Sequence, residues 1–112
     1  GTLYYLPPEY LSGKVKAGFG MDFYALGVVL YEMLTGARPY RGEGSVELIY
    51  AILYGETRPP REVRATVPEA VSAFVMELIH KDPARRLNDF AAIQPRVEAL
   101  LRQLAARPAE NE

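Results

Sequence analysis

The segment from Asp22 to Thr35 is apolar on nearly every side of a helix. A helix that is hydrophobic all round is normally buried, so this pattern predicts the central core helix of the fold. Asp22 stands where an N-cap belongs and Gly36 where a C′ residue belongs, which marks both ends of the helix. Because Glu32 interrupts the apolar run and the run is short, we predict no membrane span here.

Three further segments, 45–54, 68–80 and 88–106, carry apolar residues at the spacing of a helix. Ser45 is expected to cap the first segment, and Pro68 to occupy the first helical position of the second. Each pattern predicts an amphipathic helix with one buried face. The residues expected on these faces are Val46, Ile49, Ile52 and Leu53, then Val71, Phe74, Val75, Leu78 and Ile79, and finally Phe90, Ile93, Val97, Leu100, Leu101 and Leu104.

The remaining segments predict loops. Residues 1–20 contain six glycines or prolines and are expected to form an ordered loop that ends in a short helical turn. Residues 55–67 are rich in Pro, Arg and Thr, and Pro95 predicts a kink or restart in the last helix. No segment alternates apolar and polar residues between hairpin turns, so the predicted fold class is all-α.

Composition narrows the possible function. With 112 residues the chain is one domain, and 49% apolar residues are enough to form a core. Thirteen Lys and Arg residues against fourteen Asp and Glu give a net charge of -1, which argues against a nucleic-acid or membrane partner. Cysteine is absent and His80 is the only histidine, so a thiolate or histidine metal centre is not expected. A cytoplasmic location fits this composition.

Three short motifs stand in a recognisable order. The chain begins GTLYYLPPE, continues after a short gap with DFYALGVVLYEMLTGARPY, and later contains HKDPARR. These resemble, in turn, the end of the activation segment with the A-P-E motif of a protein kinase, the central helix of its C-lobe, and the Asp-Pro-x-x-Arg segment near the end of that domain. Pro7 replaces the family's Ala. The resemblance identifies residues 1–107 as part of a kinase C-lobe, followed by a frayed tail at 108–112.

The resemblance implies roles for the first residues of the chain. Thr2 matches a threonine that lines the catalytic cleft and is typical of Ser/Thr kinases, although it could also be an ordinary loop hydroxyl. Leu3 and Leu6 would help to form the pocket for the substrate residue after the phosphoacceptor, and Tyr5 matches the family's aromatic residue there. Tyr4 is expected to be a packing residue rather than a phosphorylation site.

Three other positions are expected to be structural. Glu9 and Arg86 lie far apart in sequence, yet a compact helical domain could join them as a bidentate pair, and the matching residues of kinases fix the substrate loop in this way. The alternative is that both are ordinary surface charges. In kinases the residue matching Asp22 also holds the catalytic loop, which this sequence lacks. Gly27, inside the core helix, predicts close backbone packing.

The motifs that carry phosphoryl transfer are missing from the sequence. It has no Gly-rich loop, no strand lysine, no catalytic-loop Asp and Asn, and no D-F-G aspartate. We therefore expect no catalytic residue, cofactor site or metal site in this chain, and we assign ATP and Mg²⁺ to the parent kinase. The start at Gly1 rather than Met suggests a piece of a longer chain. The alternatives are a non-catalytic kinase remnant that acts as a helical interaction module and, less favoured, an unrelated helical bundle.

Several interaction surfaces follow from these hypotheses. A protein substrate or partner is expected to contact residues 1–10 and 45–54. If the usual covering elements are missing, one face of the 22–35 helix stays exposed, which favours marginal stability or self-association. Arg58, Arg61 and Arg64 could bind a phosphate together, or could be a solvated loop face. For His80 we expect capping or exposure to solvent.

Overall fold

The computed structural model describes residues 2–14 and 20–106, without the side chain of Thr2, so the predicted tail at 108–112 lies outside the described residues. These ranges contain helices and turns but no strand, which confirms the all-α fold class. The elements are a 3-10 turn at Thr2–Tyr5 and the helices α1 (Pro8–Leu11), α2 (Gly20–Thr35), α3 (Ser45–Tyr54), α4 (Pro60–Val63), α5 (Glu69–Leu78) and α6 (Phe90–Ala106).

Helix α2 forms the centre of the fold, as its apolar pattern predicts. Tyr24, Val28 and Tyr31 are buried on the face that packs against α5. The opposite face is not covered within the described residues, and Met33 there is 73% exposed. The sequence pattern therefore predicts the helix, while its all-round hydrophobicity leaves an apolar surface without a partner.

The sequence predicts the C-terminal end of α2 correctly but not its N-terminal end. The helix begins at Gly20, so Asp22 lies in its first turn and the prediction that it is the N-cap is wrong. A carboxylate in the first turn still suits the positive end of the helix dipole. At the other end Gly36 has φ +75°, and its N–H donates to the carbonyl of Glu32 at 2.8 Å. Glycine is favoured there because this backbone conformation costs other residues energy.

Helix α3 packs against the 3-10 turn through a cluster of Tyr40, Leu48 and Ile52. Its N-cap is Gly44 with no side-chain cap, so Ser45 is the first helical residue rather than the cap. Val46 is 82% exposed, contrary to the predicted face. Leu48 and Ile52 are four residues apart and share one side of the helix, whereas Val46 points away from that side.

Helix α5 joins α2 to α6. Pro68 is its N-cap rather than its first residue, and Phe74 and Leu78 are buried together with Ile93 of α6.

Helix α6 is continuous through Pro95, so the predicted restart does not occur. Most of its apolar stripe is not buried, and Phe90 is 66% exposed. The reason is that α6 packs on α5 alone within the described residues, which leaves its outer positions open.

The segment predicted as a loop at 55–67 contains the short helix α4. Pro60 occupies its first position and is buried, and Pro59 precedes it as the N-cap. A proline at this position is pre-organised for a helix because its φ is fixed and its missing N–H has no partner in the first turn. This single turn is too short to give a periodic pattern in sequence.

Candidate functional site

Two consecutive prolines connect the 3-10 turn to helix α1. Pro7 and Pro8 are both buried, and Pro8 is the first residue of α1. The N–H of Tyr10 donates to the carbonyl of Pro7 at 3.0 Å, and the N–H of Ser12 donates to that of Pro8 at 3.0 Å. Because proline fixes φ, this turn starts in a defined direction after the 3-10 turn.

Glu9 and Arg86 come together as the bidentate pair that the motifs suggest. Arg86 Nη1 donates to Glu9 Oε2 at 2.6 Å, and Nη2 donates to Glu9 Oε1 at 2.9 Å. The Arg86 side chain is 1% exposed and that of Glu9 is 11% exposed, so the alternative of two ordinary surface charges does not apply. The pair joins α1 to the loop after α5.

Arg86 is held by further contacts. Its Nε donates to the carbonyl of His80 at 2.7 Å and its Nη2 to that of Lys81 at 3.2 Å, while its guanidinium lies 5.1 Å from the centre of the Tyr24 ring. Burial opposes ionisation of Glu9, but the hydrogen bonds from Arg86, a backbone hydrogen bond and the Arg86 charge outweigh burial and lower its pKa. Glu9 is therefore anchored as a carboxylate.

A second network connects the 3-10 turn with the end of α2. The hydroxyl of Tyr5 donates to Glu32 Oε1 at 3.1 Å, and Arg38 Nε donates to Glu32 Oε2 at 3.0 Å. The Arg38 guanidinium stacks 3.7 Å from the centre of the Tyr4 ring. The hydrogen bond to Glu32, with burial and the charge of Glu32, raises the pKa of Tyr5. Glu32 is thus the hub that orients both tyrosines.

The other residues with a predicted substrate role lie on the same turn or directly after it. Leu3 packs against the cluster around Leu48 and lines a pocket of about 260 Å³ between the turn and the start of α3. Leu6 is half-buried next to it. The Thr2 hydroxyl lies outside the described residues. Tyr4, which was expected to be a packing residue, packs against the same cluster as Leu3. Tyr5 packs instead against the cluster that joins α2 to α5.

Lys81 makes contacts that the sequence analysis does not predict. Its Nζ donates to the carbonyls of Ile52 and Ala51 at the end of α3, and it lies 4.1 Å from the centre of the Tyr40 ring. Burial lowers the pKa of this ammonium to about 8. A cation suits the negative end of a helix dipole, so Lys81 fixes α3 while Arg86, from the same loop, fixes α1.

Gly27 lies where α2 packs directly against the end of α5. A Cβ added there would be 2.6 Å from Cγ2 of Ile79 and 2.7 Å from Cβ of Leu78, both on the α5 side. The predicted close backbone packing is therefore present in the structure. Asp22, in the first turn of α2, is exposed.

Of the two alternatives for Arg58, Arg61 and Arg64, the structure does not support a shared phosphate site, because the three side chains have separate surroundings. Arg58 faces a cleft beside α2, Arg61 Nη1 donates to the carbonyl of Val67, and Arg64 Nη1 donates to that of Leu34. Arginines close in sequence point apart because α4 turns the chain between them.

His80 Nδ1 accepts a hydrogen bond from the N–H of Asp82 at 3.0 Å, so His80 caps the loop after α5 locally.

Among residues 2–14 and 20–106, no group of three His, Cys, Asp or Glu side chains could hold a metal ion. None of the helices in this part of the chain is long and apolar enough to cross a membrane. The 3-10 turn and α1 are held to the rest of the fold by the Glu32–Arg38 and Glu9–Arg86 ion pairs.

Comparison with known proteins agrees with the family resemblance that the sequence motifs indicate. A family model described as protein kinase domain matches residues 1–98. Serine/threonine-protein kinase OXI1 of Arabidopsis thaliana is 42% identical over 88 residues, which cover 79% of this chain and 20% of that protein. Tyrosine-protein kinase MasK of Myxococcus xanthus is 36% identical over 101 residues, covering 90% of this chain and 16% of that protein.

A third relative has a similar identity and a similar coverage of both chains. Serine/threonine-protein kinase PrkC of Bacillus subtilis is 37% identical over 86 residues, covering 77% of this chain and 13% of that protein. The chain thus spans about a fifth or less of the length of these curated relatives.

Proposed function

The chain belongs to the protein kinase domain family, and we propose that it is the part of a Ser/Thr protein kinase C-lobe that positions the protein substrate. In the parent protein the surface formed by Leu3, Tyr5 and Leu6 receives the substrate next to its phosphoacceptor. The proposal extends to Thr2, which would line the catalytic cleft.

The single observation that carries this proposal is the Glu9–Arg86 pair. A bidentate ion pair with 1% and 11% exposed side chains is costly to form unless its geometry is complete, and here Arg86 also has two carbonyl acceptors. It fixes α1, and with it the preceding turn, to the helical core. A pre-ordered surface binds an extended peptide at a lower entropic cost.

ATP and Mg²⁺ would be bound by other parts of the parent protein. The carboxylates of the described residues do not form a metal-binding group, and the sequence has no Gly-rich phosphate loop. Helix α2 and the exposed Asp22 would support the catalytic loop from below. We accordingly expect the isolated chain to transfer no phosphate.

The experiment uses the protein encoded by the native locus, with its coding sequence read upstream of the Gly1 codon. Serine, threonine and tyrosine peptides are offered together with radiolabelled ATP. We expect transfer to Ser or Thr, and we expect Glu9→Gln to raise KM for the peptide while KM for ATP stays unchanged. Glu77→Gln, which weakens a half-exposed pair with Arg96, is the matched control.

Two results would contradict the proposal. One is an upstream frame without the catalytic motifs, together with absence of phosphate transfer. The other is transfer to tyrosine alone, which would agree with the name of MasK rather than with those of OXI1 and PrkC.

A specific observation also favours a non-catalytic interaction module. Val46, Tyr50 and Tyr54 follow one another at four-residue spacing on α3 and are 82%, 66% and 69% exposed. The two tyrosine rings are 5.0 Å apart. Exposed aromatic residues are enriched at protein interfaces, so this stripe would bind a partner if the locus encodes no catalytic half. Loss of partner binding in Tyr50→Ala, with no kinase activity in the native protein, would favour this second function.

A further inference from the structure

A cleft of about 320 Å³ lies between the loop after α2 and the segment after α3. The charged residues that line it are Arg38, Arg41, Arg58 and Glu56, which is three basic residues against one acidic residue. We propose that this cleft binds an acidic side chain, Asp or Glu, of a peptide that lies on the 3-10 turn. The inference rests on the proposed function and deepens it by naming the substrate class.

The walls of the cleft are ordered by contacts with α2. The hydroxyl of buried Tyr31 donates to the carbonyl of Arg58 at 2.7 Å and accepts from Oγ1 of Thr57 at 3.3 Å. These bonds hold the 57–58 backbone against the core helix. A binding site whose backbone is already fixed loses less entropy when a ligand enters.

The three guanidinium groups are not equally available to a ligand. Arg38 already pairs with Glu32 at 3.0 Å, which offsets its charge. Arg58 Nη2 donates to the carbonyl of Glu62, and its Nε is 4.0 Å from Glu62 Oε1 in a pair that is exposed to solvent. Because solvent screens such a pair, much of the Arg58 charge remains available.

Arg41 is the best anchor for a carboxylate. It is exposed, and within the described residues it donates no hydrogen bond to another residue. A guanidinium offers two parallel donors that match a carboxylate. Glu56 lines the same cleft and would repel a ligand carboxylate, so we expect a single acidic side chain at the arginine side rather than a run of them.

Arg38 places the cleft next to the proposed peptide surface. Its guanidinium stacks on Tyr4 at 3.7 Å, and Tyr4 belongs to the 3-10 turn. A peptide on that turn therefore passes close to the mouth of the cleft. Substrates with Asp or Glu beside the phosphoacceptor should consequently bind better than neutral ones.

Fluorescence anisotropy with the 112-residue chain tests this. The probes are a labelled neutral peptide with one serine and the same peptide with an added aspartate. The variants are Arg41→Gln and Arg58→Gln, and the control is Arg102→Gln, an exposed arginine on α6. Circular dichroism establishes that each variant is folded.

We expect the aspartate peptide to bind about tenfold more tightly than the neutral one, since a charge-assisted hydrogen bond is gained. Arg41→Gln should remove most of this gain, and Arg58→Gln part of it, while Arg102→Gln should change affinity less than about twofold. Equal binding of both peptides, no binding of either, or an equal effect of Arg102→Gln would overturn the proposal. The proposed function would survive any of these results if the native protein still phosphorylates the neutral peptide.

Discussion

Replacing Arg86 by alanine is expected to destabilise the chain far more than replacing a chemically identical arginine on its surface. Arg86→Ala removes four hydrogen bonds at once and leaves the Glu9 carboxylate and two carbonyls without their donors. Breaking a buried ion pair costs roughly 3–5 kcal/mol, because the remaining charge is neither solvated nor paired.

This free energy corresponds to a large shift in melting temperature. An unfolding entropy of about 2.1 cal/mol/K per residue gives about 0.24 kcal/mol/K for a chain of 112 residues. Each kilocalorie therefore lowers Tm by about 4 °C, and Arg86→Ala by roughly 12–20 °C. For a domain whose total stability is about 5–15 kcal/mol, this is a large part of the whole.

The matched control is the Glu77–Arg96 pair between α5 and α6. It has the same bidentate geometry, at 2.7 and 2.5 Å, but its side chains are 38% and 40% exposed. The hydrogen bond from Arg96 lowers the pKa of Glu77, yet solvent screens the pair. Arg96→Ala should therefore cost roughly 0.2–1 kcal/mol and lower Tm by no more than about 4 °C.

Thermal and urea denaturation followed by circular dichroism give both values. A double-mutant cycle with Glu9→Ala, Arg86→Ala and the combined variant separates the pair from the other contacts of each residue. Glu9→Gln keeps the shape of the side chain and serves if Arg86→Ala does not fold. Equal Tm shifts for the two pairs, or strictly additive effects of Glu9→Ala and Arg86→Ala, would refute the reasoning.

Three further predictions concern packing, association and pH. Gly27→Ala should lower Tm, because overpacking against Ile79 at 2.6 Å costs about 1–3 kcal/mol and exceeds a helix-propensity gain of about 1 kcal/mol; a higher Tm would contradict this. Met33→Lys should reduce concentration-dependent association in sedimentation, and association that is unchanged would exclude the open face of α2 as its cause. The pKa of Glu9 is lowered from 4.5 in the folded chain, so the ionised side chain stabilises the fold fully above pH 4.5. This stabilisation is lost as the pH falls through the lowered pKa of the folded state, and the Tm difference between wild type and Glu9→Gln should shrink in that pH range.

The parts of the fold that the sequence predicts well are those with a local cause. Helix α2 follows from its apolar pattern and ends at Gly36, whose left-handed conformation suits glycine. The contact of Gly27 with α5 follows from an otherwise unfavourable glycine inside a helix. Glu9 and Arg86 could be paired in advance because each lies in a short motif.

The parts that it predicts poorly depend on contacts between distant segments. Lys81 reaches the carbonyls at the end of α3, and Glu32 joins Tyr5 to Arg38, but nothing in the local sequence marks either partner. The apolar stripe of α6 predicts burial that occurs fully only at Ile93. Periodicity indicates which face can be buried, but a second layer of structure must be present to cover it.

Hydrogen exchange at the amides of α1 tests most directly whether Glu9 and Arg86 fix the substrate-facing turn. The N–H groups of Tyr10 and Ser12 donate to the carbonyls of Pro7 and Pro8. In Glu9→Gln we expect both amides to lose about tenfold or more of their protection, while the amides of α5 keep theirs. Identical protection of α1 in the variant and the wild type would contradict the account, since the turn would then be ordered without its ion pair.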